Sequence, residues 1–381
     1  MISLPKKLAA LAVTGVFAGT AYAQSNVTLY GVVDAGFINS TSDRVGNSGG
    51  NSNFSGINSG IMAGSRLGFK GEEGLGNGLK AVFLLEYALA IDTNAGIGSG
   101  TGATSTRQSY VGLADSKLGT VSLGRQYAPA YYAASRNNPF GASTVLSPLT
   151  LLTAAGSNSI TAGEKSRISN SVNYASPNWN GFTASAIYGY GETGQSTTVS
   201  NGVGQGSNGL FGAGLNYANG PLNLDLVFQQ RLAVTPNPIT TTPVTTVSTQ
   251  DNINEWGLFG SYDFKVAKLF ASYQTQKDDN GPSTREGSNN VWQLGTSVPV
   301  FGKGEIQASY VKLNWDRPGA GSSDGWTLGY RHALSKRTTL YTTYGVVDND
   351  RNALAAAGPI GATAFIGEKN TTVTAGINHT F

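Results

Sequence analysis

The sequence predicts an all-β fold, a transmembrane antiparallel β-barrel of about sixteen strands. Two observations predict it. Polar and apolar residues alternate with a period of two along many segments, and short turns alternate with long loops between those segments. A third observation, an export signal at the amino terminus, fits a protein that reaches a membrane outside the cytoplasm.

The first 23 residues have the pattern of a secretory signal peptide. Lys6 and Lys7 precede a short apolar run, and Ala21-Tyr22-Ala23 supplies the small residues that a signal peptidase requires. A membrane-spanning helix would need about 20 apolar residues, and this run reaches roughly half of that. We therefore expect cleavage after Ala23, with one barrel domain over residues 24–381.

Composition excludes several other classes. The net charge is +3, and two of these charges belong to Lys6 and Lys7 in the signal, so the rest of the chain is close to neutral. A nucleic-acid partner, which favours a strongly basic face, is not expected. The chain has no cysteine, so it must be stable without disulfides. The 52 glycines would suit a disordered chain, but regular alternation and 10% aromatic residues argue against disorder for most of it.

The alternation predicts strands with one apolar and one polar face. In residues 27–37 the odd positions are apolar or glycine, and the even positions include Thr28 and Asp34; residues 222–229, 255–264 and 373–381 repeat the pattern. A charge on a lipid-facing surface costs roughly 2–4 kcal/mol near the midplane, and the apolar faces are almost free of charge. These faces are therefore predicted to contact lipid. The alternative, a soluble β-sandwich, would carry more surface charge than 12% overall permits.

Breaks between the strands fall into two classes. The short ones lie at 72–78, 115–119, 177–181, 219–221, 265–267, 301–304 and 335–337. The long ones include 39–58, 128–163, 193–207, 233–250 and 350–368. Seven short turns join eight hairpins, which predicts about sixteen strands. Because an unpaired backbone group is costly in lipid, the sheet is expected to close.

Aromatic residues cluster near the predicted strand ends. At the two boundaries between membrane and water such rings form girdles. The candidates are Tyr174, Tyr188, Tyr217, Tyr273, Trp292, Tyr310, Trp326, Tyr330 and Phe381.

Several stretches, in this order, resemble the general diffusion porins of Gram-negative outer membranes, the β-proteobacterial type in particular. They are residues 29–34, 65–71, 79–86, 110–113, 123–126, 334–338 and the terminal Phe381. The resemblance implies a homotrimer of sixteen-stranded barrels in the cell outer membrane, each with its third extracellular loop folded inward. It also implies that Phe381 is read by the outer-membrane barrel-assembly machinery.

The function that this resemblance implies is passive diffusion of small ions and hydrophilic solutes through a water-filled channel, in contact with membrane lipid and lipopolysaccharide. A substrate-specific channel and a non-conducting barrel adhesin remain alternatives. Some outer-membrane barrels are hydrolases, which need a base to activate a nucleophile. Both histidines, His332 and His379, are predicted away from the lumen, so we expect no enzyme activity, and no cofactor or metal.

The longest loop, residues 128–163, is the candidate for a constriction. A barrel of sixteen strands leaves an aqueous channel that something must narrow if it is to discriminate. The loop contains one charge, Arg136, and one central turn. The candidate constriction-loop residues are Arg136, Asn138, Pro139, Phe140 and Gly141.

Charged residues on the polar strand faces are the candidates for selectivity. Alternation assigns Asp34, Arg66, Lys70, Lys80, Glu86 and Arg167 to the lumen. The resemblance implies a basic ladder of Arg66, Arg107 and Arg167 opposite Glu86.

Two arginines conflict with simple alternation. Arg107 has outward parity, so either a bulge near Gln108 reverses the strand or Arg107 lies at the rim. Arg125 is also outward at a strand end and is a candidate subunit contact. Because the 128–163 loop has no carboxylate to oppose the arginines, we expect modest anion preference, with a weakly selective pore as the alternative.

Overall fold

The computed structural model describes residues 26–43, 53–97, 106–161, 163–191, 209–232, 251–278, 287–358 and 366–381. The predicted signal peptide and the predicted loops 193–207 and 233–250 lie outside these residues. Within the described ranges, no helix is both long enough and apolar enough to cross a membrane.

Eighteen strands and two α-helices make up the described chain. The strands are β1 (Asn26–Asp43), β2 (Phe54–Ser59), β3 (Arg66–Gly76), β4 (Leu79–Ala90), β5 (Gly96–Ile97), β6 (Thr106–Asp115), β7 (Gly119–Tyr127), β8 (Arg167–Ala175), β9 (Phe182–Gly189), β10 (Gly209–Asn219), β11 (Leu222–Leu232), β12 (Ile253–Asp263), β13 (Lys268–Lys277), β14 (Asn289–Val300), β15 (Gly304–Trp315), β16 (Ser322–Ala333), β17 (Thr338–Asn349) and β18 (Lys369–Thr380). The helices are α1 (Pro129–Arg136) and α2 (Pro148–Ala155), and a 3₁₀ turn spans Glu164–Ser166.

The strands form one closed antiparallel barrel, because β1 pairs with β18 along one edge. Along its other edge β1 pairs first with β2 and then with β3, which together make one interrupted barrel strand. The two-residue β5 pairs with the end of β4. Sixteen strands therefore form the barrel wall, which confirms the predicted strand number and the closure of the sheet.

The seven predicted short turns all connect neighbouring strands, but the predicted first loop was too long. Strand β1 continues to Asp43 and β2 begins at Phe54, so only residues 44–53 separate them. The connections that follow β4, β13 and β15, over residues 91–105, 278–288 and 316–321, were not identified. Ser, Asn and Thr are common in both loops and polar strand ends, so composition alone does not separate the two.

The polarity of the barrel is the inverse of that of a soluble protein. On β11 the outward side chains Leu224, Leu226 and Phe228 are 41%, 52% and 39% exposed. On the opposite face of the same strand, Asp225 and Gln229 point inward and are 2% and 0% exposed. This arrangement suits apolar contact with lipid outside and a polar interior.

Aromatic rings form a belt on the outer faces of nine consecutive barrel strands, β9–β17. Its members are Tyr188, Phe211, Phe228, Trp256, Tyr273, Trp292, Tyr310, Trp326 and Tyr344. Ring centroids lie 5.4 Å apart for Trp292 and Tyr310 and 5.5 Å apart for Trp326 and Tyr344. Among the described residues, no comparable ring pairs occur on the outer faces of β1–β8 and β18.

The segment 128–163 packs against inward-facing side chains of the barrel wall. Each of its helices begins with a proline, which suits the first helical position because no hydrogen bond is lost there. Alanines of α1 pack with Val227 and Phe259, and leucines of α2 pack with Val291 and Leu313. Val227 and Phe259 alternate with the outward Leu226 and Leu258, so these contacts are those expected of a loop folded into the barrel.

The turn between the helices makes a third apolar contact. Phe140, Val145 and Leu146 pack with Ile38, Ile61 and Tyr341. Ile61 belongs to residues 60–65, the break between β2 and β3, and its carbonyl accepts a hydrogen bond of 2.7 Å from the Ser143 hydroxyl. The interruption of the barrel strand therefore provides a contact for the tip of the loop.

Candidate pore constriction

The three arginines of the expected basic ladder lie on three different strands and face one part of the lumen. Arg66 begins β3, Arg107 lies at the start of β6, and Arg167 begins β8. All three line the same cavity of about 850 Å³. Glu86, on β4 between β3 and β6, reaches two of them.

A bulge explains the inward position of Arg107. In the pairing of β4 with β6, Glu86 is opposite Gln108 and Tyr87 is opposite Thr106, so Arg107 is one extra residue. An extra residue shifts the alternation by one position. Arg107 thus points to the lumen side despite its outward parity, and the first of the two sequence-based alternatives describes the structure.

Glu86 is buried between positive groups. Its Oε1 accepts a 2.7 Å hydrogen bond from Arg107 Nε, and its Oε2 lies 3.8 Å from Arg66 Nε. The Tyr30 hydroxyl donates to the same Oε2 at 2.9 Å. The side chains of Glu86 and Arg107 are only 6% and 11% exposed, whereas that of Arg66 is 25% exposed. Arg66 is therefore the more accessible of the two cations.

Tyr127 joins Arg107 to Arg167. It is paired with Arg167 in the β7–β8 register, and its hydroxyl accepts hydrogen bonds from Arg107 Nη2 at 2.9 Å and Arg167 Nε at 3.2 Å. The Arg167 guanidinium also lies 5.3 Å from the Tyr127 ring centroid. A continuous set of contacts thus runs from Arg66 through Glu86, Arg107 and Tyr127 to Arg167.

Three tyrosines at the start of the loop were missed by the sequence analysis. Tyr127 and Tyr131 stack with centroids 3.6 Å apart, and Tyr132 meets both rings edge-on. Burial, and then the nearby Tyr127, raise the pKa of Tyr131 above its usual range, so it stays neutral. Tyr127 ends β7 and Tyr131 lies on α1, so no single periodic pattern in the sequence marked the pair.

Arg136, the loop's one charge, is paired with the wall. Its Nε and Nη2 donate to the two carboxylate oxygens of Asp225 at 3.0 and 2.6 Å. Asn137 and Asn223 donate to Asp225 Oδ2 at 2.8 and 2.9 Å. This bidentate geometry fixes the end of α1 to β11 and offsets the charge of Arg136. Asp225 was missed because alternation does not reveal which wall residue meets the loop.

A second wall carboxylate, Glu255 on β12, also binds the loop. Glu255 is fully buried, and its Oε1 accepts a 2.7 Å hydrogen bond from the Ser159 amide. Gln229 donates to the Ser159 hydroxyl at 2.9 Å, and Arg231 lies 3.4 Å from Glu255. Two inward acids are thus used to hold the loop.

The four uncharged turn candidates lie together against the wall. Asn138 Oδ1 accepts from the Phe140 amide at 3.1 Å, and Asn138 Nδ2 donates to the carbonyl of Gly141 at 3.0 Å. Pro139 packs on Gly295 and Phe140 packs on Gly329, where a Cβ would come within 2.8 and 2.9 Å of those rings. Gly141 has a φ of +56°, a conformation that favours glycine.

Three other charged residues predicted to face the lumen, Asp34, Lys70 and Lys80, do not line the cavity with the arginines. Asp34 is fully buried and accepts hydrogen bonds from Tyr341, Asn378 and the Met62 amide, so it joins β1 to β17 and β18. Lys70 lies 5.5 Å from the Tyr30 ring. Lys80, about half exposed, pairs with Glu72 at 2.8 Å near the β3–β4 turn.

Of the two remaining candidates, Arg125 lies on the outer face of the barrel, and Phe381 lies where the last strand pairs with the first. Arg125 donates to the Thr106 carbonyl at 3.0 Å and to the Ser169 hydroxyl at 2.7 Å. Phe381 exchanges backbone hydrogen bonds of 3.0 and 3.1 Å with Gly31, and its ring covers that glycine. The terminal residue thereby completes the pairing of the last strand with the first.

Charge along the described cavity lining is unequal. Seven basic residues line it, namely Arg66, Arg107, Arg136, Arg167, Lys265, Lys268 and Arg331. Two acidic residues line it, namely Asp263 and Glu305. Opposite the ladder, the loop contributes neutral groups such as Tyr131, Pro139, Phe140 and Leu146.

The histidines make local contacts at the ends of outer strand faces. His332 Nδ1 lies 3.0 Å from the Tyr330 hydroxyl, and His379 Nδ1 lies 2.9 Å from the Thr338 hydroxyl. Across the residues that the structure covers, no group of three or more His, Cys, Asp or Glu side chains could hold a metal ion.

Known proteins resemble this chain over nearly its whole length. The sequence profile of the Gram-negative porin family matches residues 8–352. Outer membrane porin protein 32 of Delftia acidovorans is 34% identical over 99% of this chain and 100% of its own length. An outer membrane porin of Bordetella pertussis is 30% identical over 99% of this chain and 100% of its own.

A solved structure agrees with these sequence relationships. The anion-selective porin from Comamonas acidovorans superposes with a TM-score of 0.73 at 29% identity, over 94% of this chain and 100% of that one. Family match, full-length relatives and the closed sixteen-stranded barrel lead to one conclusion: the chain belongs to the Gram-negative porin family and is an outer-membrane porin.

Proposed function

We propose that this porin is a water-filled channel for passive diffusion of small hydrophilic solutes, with a modest preference for anions. The observation that carries the proposal is the excess of basic over acidic side chains along the cavity lining. At an effective dielectric of about 20, unit charges 4 Å apart interact by roughly 4 kcal/mol, so such an excess matters to a passing ion. The Comamonas relative is described as anion-selective, which supports a preference for anions over cations.

The segment 128–163 is proposed as the constriction. Its packing against β11–β17 leaves it facing the ladder on β3, β6 and β8. Two inward carboxylates, Asp225 and Glu255, are occupied in holding this segment. Arg136 and Arg231 offset these two negative charges, so neither carboxylate provides a free site for a passing cation.

The reversal potential in a KCl gradient across a planar bilayer tests this function. We expect stepwise conductance and a reversal potential of the sign given by chloride permeation. Arg66→Gln with Arg167→Gln should reduce the anion-to-cation permeability ratio by about threefold or more, because two accessible cations leave the channel. Clear cation preference in the wild-type protein would contradict the proposal. Conductance blocked by a single solute class would favour a substrate-specific channel, and no conductance would favour an adhesin.

The protein is also proposed to be a homotrimer. Its aromatic belt covers β9–β17, while the ring pairs do not continue over the described outer faces of β1–β8 and β18. Aromatic residues of a belt lie at the boundary between lipid and water. An outer face that contacts another subunit does not meet this boundary, so no aromatic belt is expected there. Arg125 lies on this part of the outer face and is proposed as a subunit contact. An unheated sample should migrate on a detergent gel as a large species that collapses on boiling.

Other partners follow from the outer-membrane location. We propose lipopolysaccharide and lipid contacts on the outer face and recognition of Phe381 by the barrel-assembly machinery. Transport through this channel requires no catalysis, cofactor or metal.

A further inference from the structure

A second cavity, of about 430 Å³, lies between α1 and the barrel wall at β6–β9. On β11 and β12 the wall fills the space against α1, because Val227 and Phe259 pack with the alanines of the helix. On β7 and β9 the inward side chains at the cavity are short instead, as at Thr120, Ser122 and Ser185. The short side chains leave a space beside the helix.

The lining of this cavity is almost without charge, unlike that of the cavity with the arginine ladder. Arg136 is the one charged residue of the described lining, and two hydrogen bonds join its guanidinium to the Asp225 carboxylate. An ion therefore gains little by entering. The groups that can recognise a solute here are amides, hydroxyls and aromatic rings.

Two amide side chains of the cavity have no hydrogen-bond partner in the part of the chain that the structure describes. Gln108 is 9% exposed, and Oδ1 of Asn173 is buried. The neighbouring Gln126 differs, since it accepts from the Ser122 hydroxyl at 2.6 Å and donates to the Ser122 carbonyl at 3.1 Å. An amide offers both donors and an acceptor, and leaving these groups unpaired is costly. A solute that supplies both kinds of partner therefore suits the two free amides.

Two tyrosine rings also line the cavity. Tyr110 lies on β6, and Tyr132 lies on α1 with 45% of its surface exposed. An aromatic ring presents an apolar face and, in tyrosine, a polar tip. The apolar C–H face of a sugar ring packs on such a surface while the sugar hydroxyls bond to amides and hydroxyls nearby. A few hundred cubic ångströms is an ordinary size for a small-molecule site.

We infer that this cavity is a binding site for an uncharged polyhydroxy solute of monosaccharide size. The inference rests on the proposed channel function and adds to it a class of solute that is not selected by charge. Arg136 lines both cavities, so a solute held in the second one lies next to the path of the ions.

Glucose is the probe for this site. Single wild-type channels are recorded in a planar bilayer while glucose is added in steps. Glucose bound beside the ion path should reduce the current in part, and the reduction should saturate with concentration. A short polyethylene glycol of similar size is the solute control, because it should lower the current without saturation.

Gln108→Met and Asn173→Leu each remove one unpaired amide and keep a side chain of similar volume. Each variant should raise the half-saturating glucose concentration by roughly fivefold, the effect of one lost hydrogen bond. Gln108 adjoins Arg107 in the sequence and Asn173 does not. Asn173→Leu therefore keeps the test valid if Gln108→Met disturbs the arginine ladder.

Gln274→Met is the matched control. Gln274 is 1% exposed, and within the described chain its amide also lacks a partner. It lies on β13, however, and lines neither cavity. This variant should keep the wild-type response to glucose. Gel migration of unheated samples verifies that each variant folds and assembles.

The outcomes separate the inference from the function on which it rests. A conducting wild-type channel that shows no saturation with glucose would overturn the inference and leave the channel function in place. Wild-type half-saturation in folded Gln108→Met and Asn173→Leu would also overturn it, as would an equal change in Gln274→Met. A wild-type protein that passes no current would overturn both the function and the inference.

Discussion

Asp225→Ala is expected to release the end of α1 from the barrel wall. The change removes an acceptor of four hydrogen bonds, two of them from Arg136. Hydrogen bonds to charged groups are each worth about 1.5–3 kcal/mol, but the Arg136 side chain is 42% exposed and can regain water. We therefore expect each lost hydrogen bond to reduce the stability of the loop attachment by an amount at the lower end of this range. The single-channel conductance should become larger and noisier.

Trypsin provides a second measurement of the same change. Arg136 is the one basic residue between positions 126 and 163, so cleavage in this loop has a single site. Cleavage after Arg136 should accelerate in Asp225→Ala. Asp348→Ala, which removes one member of an exposed ion pair with Lys369, is the control and should leave both measurements unchanged. Wild-type conductance and wild-type proteolysis in folded Asp225→Ala would contradict this account of the loop attachment.

Glu86→Gln is expected to have the largest effect on stability. It leaves Arg107, whose side chain is 11% exposed, without its buried counter-ion. Removing one partner of a buried ion pair typically costs about 3–5 kcal/mol, because the other charge stays buried and uncompensated. The temperature at which the barrel unfolds should therefore fall. Among channels that fold, anion preference should rise because one negative charge has left the cluster.

Glu72→Gln is the matched control for this change. Glu72 pairs with Lys80 on the surface, and both side chains are about half exposed, so the same substitution should have little effect. Gel-monitored thermal unfolding and reversal potential measure the two predicted changes. Equal unfolding temperatures for Glu86→Gln and wild type would show that Glu86 is not needed as a counter-ion.

Alternation predicted the faces of the strands because neighbouring side chains on a strand point to opposite sides. The outward positions of Leu224, Leu226 and Phe228 follow directly from this rule. The rule fails where the chain adds a residue, as at Arg107, because a bulge leaves no clear mark in the sequence. The family resemblance assigned Arg107 to the ladder where alternation did not.

The contacts of the constriction loop were harder to predict. Composition identified Arg136 as the one charge of the loop, but its partner Asp225 lies 89 residues away in sequence. Tyr127 likewise bridges residues 20 and 40 positions away. Such contacts depend on how the loop packs across the barrel, which local patterns do not encode.

The channel function depends on the apolar face of the strands meeting lipid while the polar face encloses water. The chain has no cysteine, so single cysteines can report each face. Lys268, which lines the cavity, and Ala271, which points outward from the same strand, form a suitable pair. In reconstituted bilayers, a water-soluble, membrane-impermeant thiol reagent should label Lys268→Cys and reduce its conductance, and should leave Ala271→Cys unmodified. Labelling of Ala271→Cys with Lys268→Cys protected would contradict the claim.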